Sequence, residues 1–303
     1  MQILAVIRAN ASTSHPRNID CMNVAYAPID APASQGHTAC REVVGNSDMI
    51  PKDKVCIVTG AASGIGAATA RAFAAAGARG VVVADTNVDA LALVAREING
   101  VAVPTDVSQE MQIQALIRRT EEKYGPIDVF FSNAGLSRPG HEDAPDATWE
   151  MMWHVHVMSH VWACRALIPG MLERGGGYLL NTASAAGLLA SMSSTPYTVT
   201  KHAAVALAES LAIQYGDRGI RFSVLCPQSV RTGMHSGQAS AASVDGVMEA
   251  DEVARIVIAA MEAERFLVLS HEAVHQYMQR KSSNIDRWLA GMRRLRDKVY
   301  GPR

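Results

Sequence analysis

The chain has 303 residues, 28 basic and 29 acidic side chains, a formal net charge of -1 and 49% apolar residues. That balance carries no polyanion-binding bias, and the length suffices for one large α/β core or two domains. Cys21, Cys40, Cys56, Cys164 and Cys226 show no paired metal spacing, no apolar run is long enough for a membrane span, and Met1 to Pro16 lacks a basic n-region. A cytoplasmic protein that binds neither nucleic acid nor membrane is expected.

Residues 1–50 open on a short apolar run, Met1 to Arg8, with the character of a strand, and continue with Pro-, Ala-, Ser- and Gly-rich sequence of broken periodicity. Two readings stand for this extension: a disordered or loosely docked segment, or an arm over a partner subunit or the rim of a ligand site.

From Ile50 the alternation becomes regular. Strands are expected at 54–59, 80–84, 101–104, 127–131, 177–182, 220–225 and 266–269, and helices at 64–76, 87–99, 108–124, 146–173 and 195–215. Short apolar strands separated by helical segments predict a single Rossmann-like doubly wound α/β domain, a parallel sheet with helices on both faces.

The first strand runs into Thr59-Gly60-Ala61-Ala62-Ser63-Gly64-Ile65-Gly66. The glycines suit a tight turn that a pyrophosphate can approach, and the helix that follows offers its unpaired N–H groups to that phosphate. The spacing is not GxGxxG, and a ligand-free strand-to-helix turn is the competing reading. Asp85, ending the second strand 19 residues beyond Gly66, is placed to accept from both ribose hydroxyls of adenosine and to oppose a 2′-phosphate, which favours NAD over NADP. Asp85 also competes with Thr86, Asn87 and Asp89 as a helix cap. Asp106 and Asn133 follow later strand ends, on the edge where open parallel sheets bind ligands. Tyr197 and Lys201, four apart, share one helical face, with Ser184 thirteen residues before the tyrosine.

These segments, with Asp106-Val107, Ser132-Asn133-Ala134-Gly135, Ser184 with Tyr197-x-x-x-Lys201, and Cys226-Pro227-Gln228 followed by Thr232, resemble a classical short-chain dehydrogenase/reductase over about residues 53–270. The resemblance implies an NAD-dependent enzyme that interconverts a secondary alcohol and its ketone. Tyr197 would be the acid/base, Lys201 would lower the phenol's pKa and hold the nicotinamide ribose, and Ser184 would orient the substrate oxygen. It also implies that Gly60, Ser63, Gly64, Ile65 and Gly66 line the pyrophosphate, Asp106 and Val107 the adenine, Asn133, Ala134 and Gly135 the nucleotide, and Pro227, Ser229, Val230 and Thr232 the nicotinamide side. Pairing through helices 146–173 and 195–215 would give a homo-oligomer, a tetramer.

The chain departs from the family pattern at two places. His156 stands where an asparagine completes the active-site tetrad, either holding a relay water or marking an altered relay, and a nucleotide-binding structural or regulatory protein with reduced turnover is the alternative function. Gln228 replaces a glycine in the nicotinamide loop. Residues 233–248 read as a mobile lid. Ala186, Leu188, Leu189, Met192, Met234 and Met248 predict an apolar pocket for a hydrophobic alcohol or ketone, with no basic cluster in these loops.

His156 and His160, at i,i+4 spacing, lack a third ligand, and His271-Glu272-Ala273-Val274-His275 matches HExxH without a supporting cluster, so no metal is expected. Gln276 to Tyr300 reads as one helix whose stripe of Ile285, Trp288, Leu289, Met292 and Leu295 docks on its own subunit or a neighbour. Arg287, Arg293, Arg294, Arg296 and Lys298 read as a solvated face rather than a nucleic-acid patch. The expected organisation is an atypical extension at 1–50, a catalytic NAD-binding domain at 51–270 and a helical extension at 271–303.

Overall fold

The computed structural model describes residues 51–233 and 241–301. The expected strand at Met1 to Arg8, the rest of the 1–50 extension, and Met234 of the expected pocket lie outside them.

Seven strands form one all-parallel sheet: β1 (Val55–Thr59), β2 (Gly80–Asp85), β3 (Val101–Pro104), β4 (Val129–Ser132), β5 (Gly177–Thr182), β6 (Ile220–Cys226) and β9 (Leu267–Leu269). Their spatial order is β3-β2-β1-β4-β5-β6-β9. β1, β4 and β5 are buried at every position, as strands covered on both faces must be. The chain builds outward from β1 to β3, then returns to place β4 on the other side of β1, which opens a crevice beyond the carboxyl ends of β1 and β4. Two short strands, β7 (Val230–Arg231) and β8 (Met248–Glu249), pair in parallel beside that edge.

Alternation within each strand sends side chains to opposite faces. Cys56, Val58, Val83 and Phe131 pack against α1 (Gly64–Ala75), α2 (Val88–Glu97) and α7 (Ala250–Glu262) through Phe73, Leu91 and Val257. On the other face, Ile57, Val82, Phe130 and Leu179 pack against α3 (Glu110–Tyr124) and α5 (Ser159–Glu173) through Ile113, Leu116 and Met171. Val224 and Cys226 meet Ala204, Val205 and Ala208 of α6 (Thr195–Tyr215). The doubly wound sheet is therefore the observed fold.

Besides the unexpected pair β7 and β8, three parts of the chain differ from expectation. α7 fills a stretch where no helix was expected, burying Val253, Val257, Ala260 and Met261 at helical spacing. The helix expected over 146–173 is interrupted: α4 (Asp146–Trp153) passes into a five-residue π-helical turn, His154–Met158, before α5. Ser159 turns its hydroxyl back to donate to the Val155 carbonyl at 2.7 Å, a local bond that competes with regular helix geometry. Finally, the C-terminal helix is two, α8 (Ala273–Ser283) and α9 (Ile285–Tyr300), broken at Asn284, whose extended backbone (φ -159°) lets its side chain accept from the Arg287 N–H at 2.9 Å as an N-cap.

Candidate active site

The glycine turn closes over the crevice. Gly60 (φ +64°) and Gly64 (φ +55°) occupy the left-handed region, and a Cβ on Gly66 would lie 2.2 Å from the Gly60 carbonyl oxygen, so only glycine fits there. α1 starts without a capping side chain: the Ser63 hydroxyl accepts from no helix N–H, and no acid lies in the first turn. Its N-terminus is thus open to an anion. Asp85 accepts from the Ala62 N–H at 3.1 Å and the Asn87 N–H at 3.0 Å, bracing the turn from the end of β2. The cap of α2 is Asn87, which accepts from the Ala90 N–H, and not Asp85. Asp106 accepts from the Ser108 N–H at 2.9 Å beside the buried Val107.

Asn133 spans the crevice. Its amide donates to the Thr59 carbonyl at 3.0 Å and accepts from the Thr182 hydroxyl at 3.1 Å, tying β1, β4 and β5 together. The Thr59 hydroxyl oxygen accepts from the N–H groups of Asn133 and Ala134. Gly135 faces His156 Nε2 and Lys201 Nζ, each 3.7 Å from where its Cβ would sit.

Ser194 caps α6 by accepting from the Tyr197 N–H at 3.1 Å, which sets the phase that carries Tyr197 and Lys201 on one face. Lys201 is buried, donates to the Thr182 carbonyl at 3.0 Å, and holds Nζ 5.7 Å from the Tyr197 ring centre. Burial lowers its pKa to about 7. Burial raises the Tyr197 phenol above its ordinary value, opposed by a hydrogen bond with Ser184. The expected depression of the phenol by Lys201 is therefore not what dominates in the protein alone, because the dry site penalises both charged forms. The Ser184 oxygen also accepts from the Ala186 N–H at 3.1 Å.

His156 is fully buried, edge-on to Tyr197 with ring centres 5.5 Å apart. Its Nε2 accepts from the Leu136 N–H at 3.2 Å, so the proton sits on Nδ1 and is donated to the Thr200 hydroxyl at 2.9 Å. Burial first, then Lys201, hold its pKa well below the usual histidine value. A neutral imidazole with both nitrogens engaged pins the loop after β4 to α6. His160, one turn on, is buried with neither nitrogen hydrogen-bonded among the described residues, and burial brings its pKa to about 3.

The loop after β6 is held by the Gln228 N–H donating to Ser270 Oγ at 3.0 Å. The Gln228 amide donates to Asp245 at 2.8 Å, and Asp245 accepts from the Tyr277 hydroxyl at 3.0 Å, so the residue that departs from the family pattern links this loop to the 241–249 segment and to α8. Thr232 Cγ2 would lie 2.8 Å from a Cβ on Gly64, closing the loop over the glycine turn.

A cavity of about 1100 Å³ joins Ser184, Tyr197, Ile65, Pro227, Ser229, Val230 and Thr232 to Ala186, Leu189 and Met192 of the expected pocket. Leu188 instead packs on the α6 cluster and Met248 on the α1/α7 face. α8 and α9 supply the remaining wall with Tyr277, Trp288, Met292 and Leu295 and, unexpectedly, Arg280, Arg287 and Arg294. Their seven-residue spacing is visible in the sequence, but only the fold shows which surface they face. The HExxH match does not form a ligand pair on one helix: His271 precedes α8 and bonds Ser270 Oγ through Nδ1, while His275 Nε2 bonds Gln279.

Residues 54–242 match the model of the short chain dehydrogenase family. The 1-deoxy-11-beta-hydroxypentalenate dehydrogenase of Streptomyces exfoliatus is 36% identical over 229 residues, 72% of this chain and 83% of that protein. The 3beta-hydroxysteroid dehydrogenase 2 of Eggerthella lenta is 32% identical over 192 residues, 61% of this chain and 74% of its own. A short chain dehydrogenase/reductase from Burkholderia phymatum, crystallised in complex with NAD, superposes with a TM-score of 0.72 at 29% identity, covering 78% of this chain and 95% of that one.

Proposed function

The chain belongs to the short-chain dehydrogenase family, whose members here are NAD(P)-dependent oxidoreductases of alcohols and ketones, and from that premise we propose that it transfers hydride between NAD and an apolar secondary alcohol or its ketone. The observation that carries this reading is the convergence of Ser184, Tyr197 and Lys201 at one cavity, with Ser184 hydrogen-bonded to the phenol and Lys201 Nζ 5.7 Å from its ring.

The residues present fit a dinucleotide. The open N-terminus of α1, with Gly60, Ser63, Gly64, Ile65 and Gly66, suits the pyrophosphate. Asp85 accepts two backbone N–H bonds and retains lone pairs for the ribose hydroxyls, where a 2′-phosphate meets like charge. Asp106 and Val107 would hold the adenine, Asn133, Ala134 and Gly135 the nucleotide, Tyr197 and Lys201 the nicotinamide ribose, and Pro227, Ser229, Val230 and Thr232 the nicotinamide. NAD, when bound, accepts hydride from the alcohol carbon or returns it to the ketone.

Tyr197 takes the hydroxyl proton in oxidation and gives it back in reduction, and Ser184 holds the substrate oxygen. Lys201, titrating near about 7, supplies charge beside the phenol and a donor to the ribose. His156, with both nitrogens engaged, acts as a positioning residue behind this set. That same engagement favours the second reading, a nucleotide-binding protein with reduced turnover, since no imidazole nitrogen is left for a relay.

A panel of aliphatic, alicyclic and steroid-like alcohols, followed by nicotinamide absorbance, separates the two. Turnover with NAD, lost in Tyr197→Phe while NAD still binds, supports the enzyme; a folded, NAD-binding protein inert toward the whole panel sinks it. Residues 51–270 form the catalytic domain in this reading and 271–303 an extension whose helices α8 and α9 wall the cavity. The active form is a homo-oligomer, a tetramer paired through α4, α5 and α6. Among the described residues no helix is long and apolar enough to cross a membrane.

A further inference from the structure

Arg280 of α8 and Arg287 and Arg294 of α9 recur every seventh residue, and all three face the cavity that contains Tyr197 and Ser184. Among the described residues no aspartate or glutamate lines that cavity. Among the described residues none of the three guanidinium groups forms an ion pair, which is true also of Arg293 on α9, while Arg296 on that helix pairs with Asp297. Asp245 sits nearby, but it accepts from Gln228 and from the Tyr277 hydroxyl, and the Arg280 guanidinium rests 5.7 Å from the Tyr277 ring centre. The segment 234–240, which follows the nicotinamide loop, contains no acidic residue.

The three guanidinium groups are exposed along this open wall, where a carboxylate could reach them, and the wall beside them is apolar, made of Trp288, Met292 and Leu295. The pyrophosphate of a dinucleotide is not the anion they would meet: of the glycine-turn residues only Ile65 reaches the cavity. Lys281 fixes the wall in place by donating to the Leu188 and Leu189 carbonyls at 2.7 and 3.2 Å. We propose that the substrate of this site is an amphipathic hydroxy or keto acid, whose apolar body lies along Trp288, Met292 and Leu295 and whose carboxylate is held by Arg280, Arg287 and Arg294. This rests on the dehydrogenase reading and names its substrate class. A planar carboxylate matches the guanidinium fork, and the apolar pocket expected from the loops becomes the middle of the site rather than its whole.

The test compares 7-hydroxyoctanoate, its methyl ester and 2-octanol as substrates with NAD, and measures octanoate and NAD binding by calorimetry. The free acid should exceed the ester in kcat/KM by about tenfold or more, the size of one charge-assisted contact. Arg287→Gln, and further Arg287→Gln with Arg294→Gln, should remove that preference through KM and weaken octanoate by a similar factor. Arg293→Gln, which takes the same charge from α9 outside the cavity, should leave the preference intact. Equal turnover of acid and ester, octanoate affinity indifferent to the arginines, or loss of NAD affinity matching the loss of octanoate affinity would each overturn the proposal. Should no alcohol be oxidised while octanoate binds in an Arg287-dependent manner, the dehydrogenase reading fails and the anion site stands.

Discussion

In the proposed reading Asp85 decides cofactor choice. Its two backbone hydrogen bonds make it a brace of the glycine turn, so replacing it costs stability as well as recognition, and the informative quantity is a ratio rather than a rate. In Asp85→Ala the preference of kcat/KM for NAD over NADP should fall by about tenfold or more, the worth of one hydrogen bond to a charged group. An unchanged ratio would leave the residue a brace alone. Lys201 gives a second residue-level prediction. Its folded pKa, about 7, lies below the ordinary lysine value of 10.5, so between those limits the unfolded chain binds more protons and stability rises with pH. Below about pH 7 the lysine is charged in both states and the burial penalty is present in full. Relative to Lys201→Met, the wild type should gain at most about 1.4 kcal/mol per pH unit from pH 7 toward 10, read from urea midpoints. Parallel curves for the two proteins would mean that Lys201 keeps its charge in the folded site.

The wall of α8 and α9 is held to the site by few polar contacts, chiefly Lys281 to the Leu188 and Leu189 carbonyls and Tyr277 to Asp245. No residue of α9 is buried. Lys281→Ala should therefore speed proteolytic cleavage within 273–300 several-fold and raise substrate KM, the lost bonds being worth about 1 kcal/mol each at this partly exposed position. Unaltered cleavage would assign the docking to Trp288, Met292 and Leu295. The seven strands of the main sheet and the five helices expected between 64 and 215 were readable because short apolar runs alternate with segments of period 3.6 and glycines mark their ends, whereas β7, β8 and the π-helical break in 146–173 left no such signal. α7 carries an equally regular pattern, but its N-cap Glu249 makes no side-chain cap bond, and the Gly-, Ser- and Ala-rich sequence before it gives no start signal. The break at Asn284 is the reverse case, a local cap overriding a periodicity that runs through it. Ser184, Tyr197 and Lys201 were legible from spacing within one strand-loop-helix unit. Arg287 and Arg294 are exposed, as a solvated face requires, but periodicity shows only that residues share a side of a helix and not that this side borders a cavity.

At the scale of the molecule, α6, which carries Tyr197 and Lys201, and α4 both expose apolar surface. α6 buries Thr200, Lys201, Ala204, Val205 and Ala208 toward the sheet, yet leaves Val199 43% and Ile213 85% exposed, and α4 leaves Met151 and Trp153 41% and 42% exposed. Burying a side chain such as Ile213 against a second copy would contribute about 1.5 to 3 kcal/mol, and a two-fold axis would count it twice. Because Tyr197 and Lys201 project from the opposite side of α6, contact across Ile213 would also stiffen the helix that positions them. Light scattering of the purified protein should give a mass above that of one chain, a tetramer in the proposed assembly. Ile213→Glu should shift the population to smaller species and lower kcat, since it would place a charge in the contact while disturbing no buried neighbour in the single chain. A wild type that is monomeric and fully active would remove the assembly from the argument, and an Ile213→Glu variant that keeps its mass would place the contact elsewhere than on α6.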